Sequence, residues 1–158
     1  MKPDLQPFPP TGMTAKPRLV VCERKAIWAT RLRSELPREI AIRQMRVLGE
    51  CAAELKLAPA SFLVVEVTAT NLAAVLDLLL EVGSRFPFAR AAAVAERKWE
   101  PQGALLREAG AVYFSTSPRS AHVLARVAAR HLERAPQPRL TLAGRIWESL
   151  PWQEAATG

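Results

Sequence analysis

Short apolar runs alternate with helix-period segments along most of this chain, and that alternation restricts its fold more than any other feature. The clearest run is Phe62-Leu63-Val64-Val65. Unbroken apolar residues over so short a span suit a strand buried on both faces. Leu19-Val20-Val21-Cys22 reads the same way, and Glu39–Gln44 is a weaker strand in which Ile40 and Ile42 alternate with polar or small neighbours. Phe88–Ala95, unusually rich in alanine, and Val112-Tyr113-Phe114 supply two more. Small alanine side chains there would let helices approach closely or leave room for something else.

Helices fit between these runs. Residues 25–36 place Trp28, Leu32 and Leu36 on one stripe, and Pro37 stops it. A second helix over about 46–57 gathers Leu48, Cys51, Ala52 and Leu55. A third, capped by Asn71 or Thr70 and reaching about Gly83, is apolar at Leu72, Val75, Leu76, Leu79 and Val82, with Leu78 and Leu80 widening the stripe. Pro101 suits the first turn of a fourth that stops at Gly110, and Ser117-Pro118 reads as N-cap and first residue of a fifth over 118–133. Five strands each followed by a helix predict an α/β chain: a three-layer αβα sandwich around a five-stranded parallel sheet.

The 158 residues, 49% hydrophobic and 23% charged, suffice for one domain with its own core. Residues 1–17 carry Pro3, Pro7, Pro9, Pro10 and Pro17 and read as a disordered arm. The folded unit is expected over 18–134. Residues 135–158 are a stiff Ala-Pro-Gln-Pro linker and a short amphipathic C-terminal helix, with Leu142, Ile146 and Leu150 in one row and Trp147 and Trp152 beside them. A helix that short is marginal alone and must dock, in cis or in trans. The longest apolar stretch, Leu72–Leu80, is broken by Asp77 and falls far short of the ~20 residues of a membrane span. Met1–Lys16 lacks the apolar stretch of a signal peptide, so a cytoplasmic location is expected. Cys22 and Cys51 form no disulfide framework and have no metal-ligand spacing, and read as small buried hydrophobes.

The expected strand ends are Cys22-Glu23, Glu66-Val67-Thr68, Ala95-Glu96 and Ser115-Thr116-Ser117. With Gly110-Ala111 ahead of Thr116-Ser117-Pro118, this frame resembles the receiver domain of two-component response regulators, a flavodoxin-like (βα)5 fold, over about residues 18–134. The resemblance implies a magnesium-holding acid pair after strand one, a phosphoacceptor aspartate after strand three, a switch Thr or Ser after strand four, and a lysine before the proline after strand five. At those positions stand Cys22 and Glu23, Glu66, Ala95 and Ser117. A thiol suits a hard cation poorly, and without the lysine nothing obvious balances a phosphoryl group. Glu66, longer than aspartate, projects charge part-way toward a phosphoryl position and so invites comparison with a permanent mimic. The expectation is a degenerate receiver, or pseudo-receiver, unable to take up an aspartyl phosphate.

Other chemistries find little footing. The seven glycines form neither GxGxxG nor GxxxxGK[ST], and no serine lies in a GxSxG elbow. His122 and His131, nine apart on one helix, point to opposite faces and cannot share a metal. Ser115–Ser117 could hold an anion by backbone N–H groups or simply cap a helix. Glu23, Glu66 and Glu96 could cluster, with Arg24 or Arg119 closing the pocket as an ion pair. No catalytic residue, cofactor or metal is therefore expected.

The leading expectation is a non-catalytic interaction or regulatory module with a protein partner, a second copy of the chain included. Its working surface would be the last strand and helix, with Ile146, Trp147, Leu150 and Trp152 as a second docking element. The alternative is a nucleic-acid-associated protein using arginine–phosphate contacts. The net charge of +7 suits it, but the arginines look scattered, and the densest clusters, Arg31 with Arg33 and Arg43 with Arg46, are modest. Residual phosphate or metal sensing at the altered pocket is a third, weaker reading.

Overall fold

The computed structural model describes residues 15–138 and Ile146. The expectations for residues 1–14 and for Trp147, Leu150 and Trp152 concern positions outside them. Along the chain run β1 (Leu19–Cys22), α1 (Ile27–Glu35), β2 (Ile42–Met45), α2 (Leu48–Leu57), β3 (Phe62–Val67), α3 (Leu72–Arg85), β4 (Arg90–Ala95), α4 (Gly103–Glu108), β5 (Ala111–Ser115) and α5 (Ala121–Arg134). All strand pairs are parallel, in the order β2-β1-β3-β4-β5. That is the flavodoxin-like order, whose switch point lies between β1 and β3 at the carboxyl ends.

Side-chain parity builds the layers. Leu19, Val21, Phe62, Val64, Ala92 and Val94 pack against Trp28 and Leu32 of α1 and Leu124 and Ala128 of α5. Their neighbours Val20, Cys22, Leu63, Val65, Ala91 and Ala93 pack against Cys51 and Leu55 of α2, Val75 and Leu79 of α3, and Leu106 of α4. With both faces covered, the strands have no polar side, which is why they read as unbroken runs. The alanines of β4 are buried on both faces, so their small size serves close helix approach.

The element ends differ from expectation for local reasons. β2 begins at Ile42 because Ile40 N–H is held in a turn by the Pro37 carbonyl at 3.2 Å. β4 begins at Arg90 because Ala89 N–H bonds the Phe86 carbonyl at 3.0 Å, leaving Phe88 59% exposed. α3 continues through Gly83 to Arg85, and Leu80 turns to solvent instead of widening the apolar stripe. Pro101 sits inside a 3-10 segment, Arg97–Gln102, ahead of α4. Gly110 stops the following turn at φ 121°, a left-handed conformation that favours glycine. A 3-10 turn, Pro118–Ser120, likewise precedes α5. On the outer edge the register slips between Ala91 and Ala92, so that Val112 bulges from β5. Bulges of this kind disfavour edge-to-edge pairing.

Candidate functional site

At the carboxyl ends of the strands lies a cleft of about 320 Å³, lined among others by Glu23, Arg24, Glu66, Ala95, Glu96 and Thr116. Glu23 is the first residue beyond β1 and only 7% exposed. Its Oε2 accepts the Trp28 N–H at 3.0 Å and its Oε1 the Ala29 N–H at 2.8 Å. These are orphan amides in the first turn of α1, whose N-cap, Ala26, has no side chain able to serve them. A carboxylate there also meets the positive end of the helix dipole.

Glu66 is half-buried and its Oε2 accepts the Arg24 N–H at 2.9 Å. The β3–α3 loop is tied down by Asn71, whose Nδ2 donates to the Glu66 carbonyl at 2.9 Å and whose Oδ1 accepts the Thr68 N–H at 2.7 Å. Asn71 is the N-cap residue of α3, as expected, and its carbonyl accepts the Val75 N–H at 2.8 Å, but its side chain braces the loop instead of bonding the helix amides. The ion pair expected between the glutamates and Arg24 or Arg119 does not form. Backbone amides serve Glu23 and Glu66, and Glu96 lies 3.3 Å from Lys98 at the surface.

Cys22 does not face the cleft. Strand parity turns it into the α2–α4 side of the core beside Cys51. The neighbouring Cys51 thiol holds the Cys22 pKa down against the opposing effect of burial, while Cys22 and burial push the Cys51 thiol up. Ala95 closes the cleft floor at 5% exposed. Ser117 is exposed and its hydroxyl caps nothing, because the turn is closed at its carbonyl, which accepts Ser120 N–H at 3.0 Å and Ser120 Oγ–H at 2.8 Å. Thr116 Oγ1 donates to Glu100 Oε2. Ile146 is helical and 54% exposed.

The histidines behave separately. His122 is exposed and lies 3.2 Å from the Arg119 carbonyl. His131 Nε2 donates to the Ala60 carbonyl at 2.9 Å, and its ring tilts against Phe62. Among the described residues, no three His, Cys, Asp or Glu side chains are grouped to hold a metal ion.

Reading along the sequence missed three features. Arg18 Nε lies 2.6 Å from the buried Glu54 carboxylate, with Arg43 of β2 at 3.5 Å, so the residue ahead of β1 is tied to α2 by a largely buried ion pair. Cys22 and Cys51 meet, which strand parity signals once both elements are placed. Arg126, Arg130 and Arg134 share one stripe of α5, signalled by their spacing of four.

No family model matches this chain, and no curated protein matches it in sequence. A solved structure does match: the CheY-like protein TadZ from Pseudomonas aeruginosa PAO1, 20% identical, with a TM-score of 0.60. The alignment covers 77% of this chain and 98% of that one. The fold is a CheY-like receiver fold. Glu23 and Glu66 therefore lie at the end of the sheet where open α/β folds of this kind bind ligands. Among the described residues, no helix is long and apolar enough to cross a membrane.

Proposed function

We propose that this chain is a non-catalytic receiver-type module that acts through protein–protein contacts and is not competent for aspartyl phosphorylation. The observation that carries this reading is the double amide bonding of Glu23. A magnesium ion prefers an octahedral oxygen shell. To give it Glu23, the chain would have to strip two amides at the start of α1. Cys22 supports the same reading, since its sulfur is buried away from the cleft and is a poor donor for a hard cation. The residues present do not fit the magnesium site that the fold implies. Ala95 offers no hydroxyl to follow a phosphoryl group, and Ser117 offers no charge to balance one.

An interaction module needs a surface, and we assign that role to the β5–α5 side together with Ile146, Trp147, Leu150 and Trp152. Part of the basic excess is neutralised within the fold, since Glu54 holds Arg18 and Arg43 and Glu81 holds Arg85, which weakens the nucleic-acid reading. The test is incubation of the full chain with acetyl phosphate and magnesium, read by intact mass. An unmodified chain is expected. A gain of one phosphoryl group that disappears in Glu66→Gln would overturn the reading.

A further inference from the structure

At the opposite end of the sheet from the cleft, one face of α5 from Val123 to Arg134 and the starts of β4 and β5 enclose a groove of about 630 Å³. Its charged lining is one-sided: Arg90, Arg126, Arg130 and Arg134 are all exposed, and no acidic side chain lines it. Among the described residues these four arginines form no ion pair. Arg90 Nη1 only donates to the carbonyls of Pro87 and Ala89, at 3.0 and 2.8 Å. Glu133, the single acidic residue of α5, is neither in the lining nor in an ion pair.

The groove is also apolar between its cations. Phe88 is 59% exposed and Val112, the bulged residue of β5, is 48% exposed. Val123 and Val127 add half-buried walls from α5. Arginine around exposed aromatic and aliphatic side chains is the composition of protein interfaces, in which Arg and aromatic residues are enriched and charged anchors steer the partner. A surface built for duplex phosphate needs the cations but gains little from Phe88 and Val112, whereas a single strand could stack a base on Phe88 and gains nothing from the aliphatic Val112, Val123 and Val127.

We propose that this groove is a docking site for an acidic protein segment carrying apolar or aromatic side chains, whose carboxylates pair with Arg126, Arg130 and Arg134 while its apolar residues cover Phe88 and Val112. The proposal rests on the reading of the chain as an interaction module and adds the surface and the chemistry of the partner. Arginine suits the role because its planar fork takes carboxylates bidentately.

The test is a fluorescence-polarisation titration of the full chain with a labelled peptide of alternating Glu and Leu pairs. Poly-glutamate of equal length and a single-stranded oligonucleotide of equal charge are the comparison probes. The Glu-Leu peptide should bind best, lose about tenfold or more in affinity to R126E/R130E, and lose affinity to Phe88→Ser as well. All three substitutions are at exposed positions, and Phe88→Ser keeps the test alive should the charge reversal unfold the chain. No binding of the Glu-Leu peptide, or binding that neither variant weakens, would overturn the proposal. So would tighter oligonucleotide binding, which would make the stripe a phosphate track if it ignores Phe88→Ser and a single-strand stacking site if it does not. A dimer of the unliganded chain, dissolved by R126E/R130E and blind to the peptide, would give the groove to a second copy and overturn it too. The acetyl phosphate experiment probes the other end of the sheet, so the two readings fail separately.

Discussion

A carboxylate at the end of a parallel strand can face outward to a ligand or turn back to the helix that follows. Glu23 does the second, and its two bonds to Trp28 and Ala29 make it a helix cap supplied from outside the helix. Removing a side-chain cap costs about 1 kcal/mol, and bonds to a charged group reach about 3 kcal/mol. Glu23→Ala should therefore destabilise the chain by about 2 kcal/mol in urea unfolding, and no change in stability would contradict the assignment. His131 gives a second residue-scale prediction. Burial lowers its pKa below the usual 6.5, with the Arg90 charge acting in the same direction and the Ala60 carbonyl opposing. The folded state therefore binds fewer protons than the unfolded one below that value. Stability should be flat above pH 6.5 and fall as the pH drops from there towards the folded pKa. Melting curves of the chain and of His131→Gln across this window check it: the substitution should flatten the slope.

Elements were the most legible scale in the sequence, because burial on both faces writes a parallel strand as an uninterrupted apolar run. Phe62–Val65, which β3 extends to Val67, and Leu19–Cys22 could be read directly for that reason. Ends were less legible: the turns at Pro37–Ile40 and Phe86–Ala89 rest on single backbone bonds that no side-chain pattern announces. The site was legible only in part. Glu23 and Glu66 could be placed at strand ends, but whether a carboxylate there meets a ligand or an amide depends on where α1 begins. The arginine groove escaped because it is sparse along the sequence and dense only after helical winding. Two glycines test the packing of elements in opposite directions. A Cβ at Gly103 would lie 2.9 Å from Cδ1 of the buried Phe114, whereas one at Gly83 meets nothing within 4 Å. Gly103→Ala should cost about 1–3 kcal/mol by overpacking, while Gly83→Ala should stabilise α3 by about 0.5–1 kcal/mol. Thermal melts of the two variants should move to opposite sides of the parent chain.

Taken whole, the molecule has two differently built ends on one sheet, and a role is proposed for each. The carboxyl end keeps the receiver-type frame, with Glu23 and Glu66 engaged by the chain's own backbone; the amino end carries an arginine-lined groove beside a bulged edge strand. In this account the fold works as a scaffold for contacts, and the cleft contributes rigidity by pinning α1 and the β1–α1 loop. If the cleft is closed to phosphoryl chemistry, Glu23 and Glu66 remain on those amides under conditions that load a phosphorylatable receiver. The most direct measurement is a ¹⁵N-resolved spectrum of the full chain titrated with magnesium and beryllofluoride, following the amides of Arg24, Trp28 and Ala29. All three resonances are expected to stay where they are in the untreated chain. A saturable shift of these amides, requiring both magnesium and beryllofluoride, would show the carboxylates leaving the backbone for a ligand and would contradict that expectation.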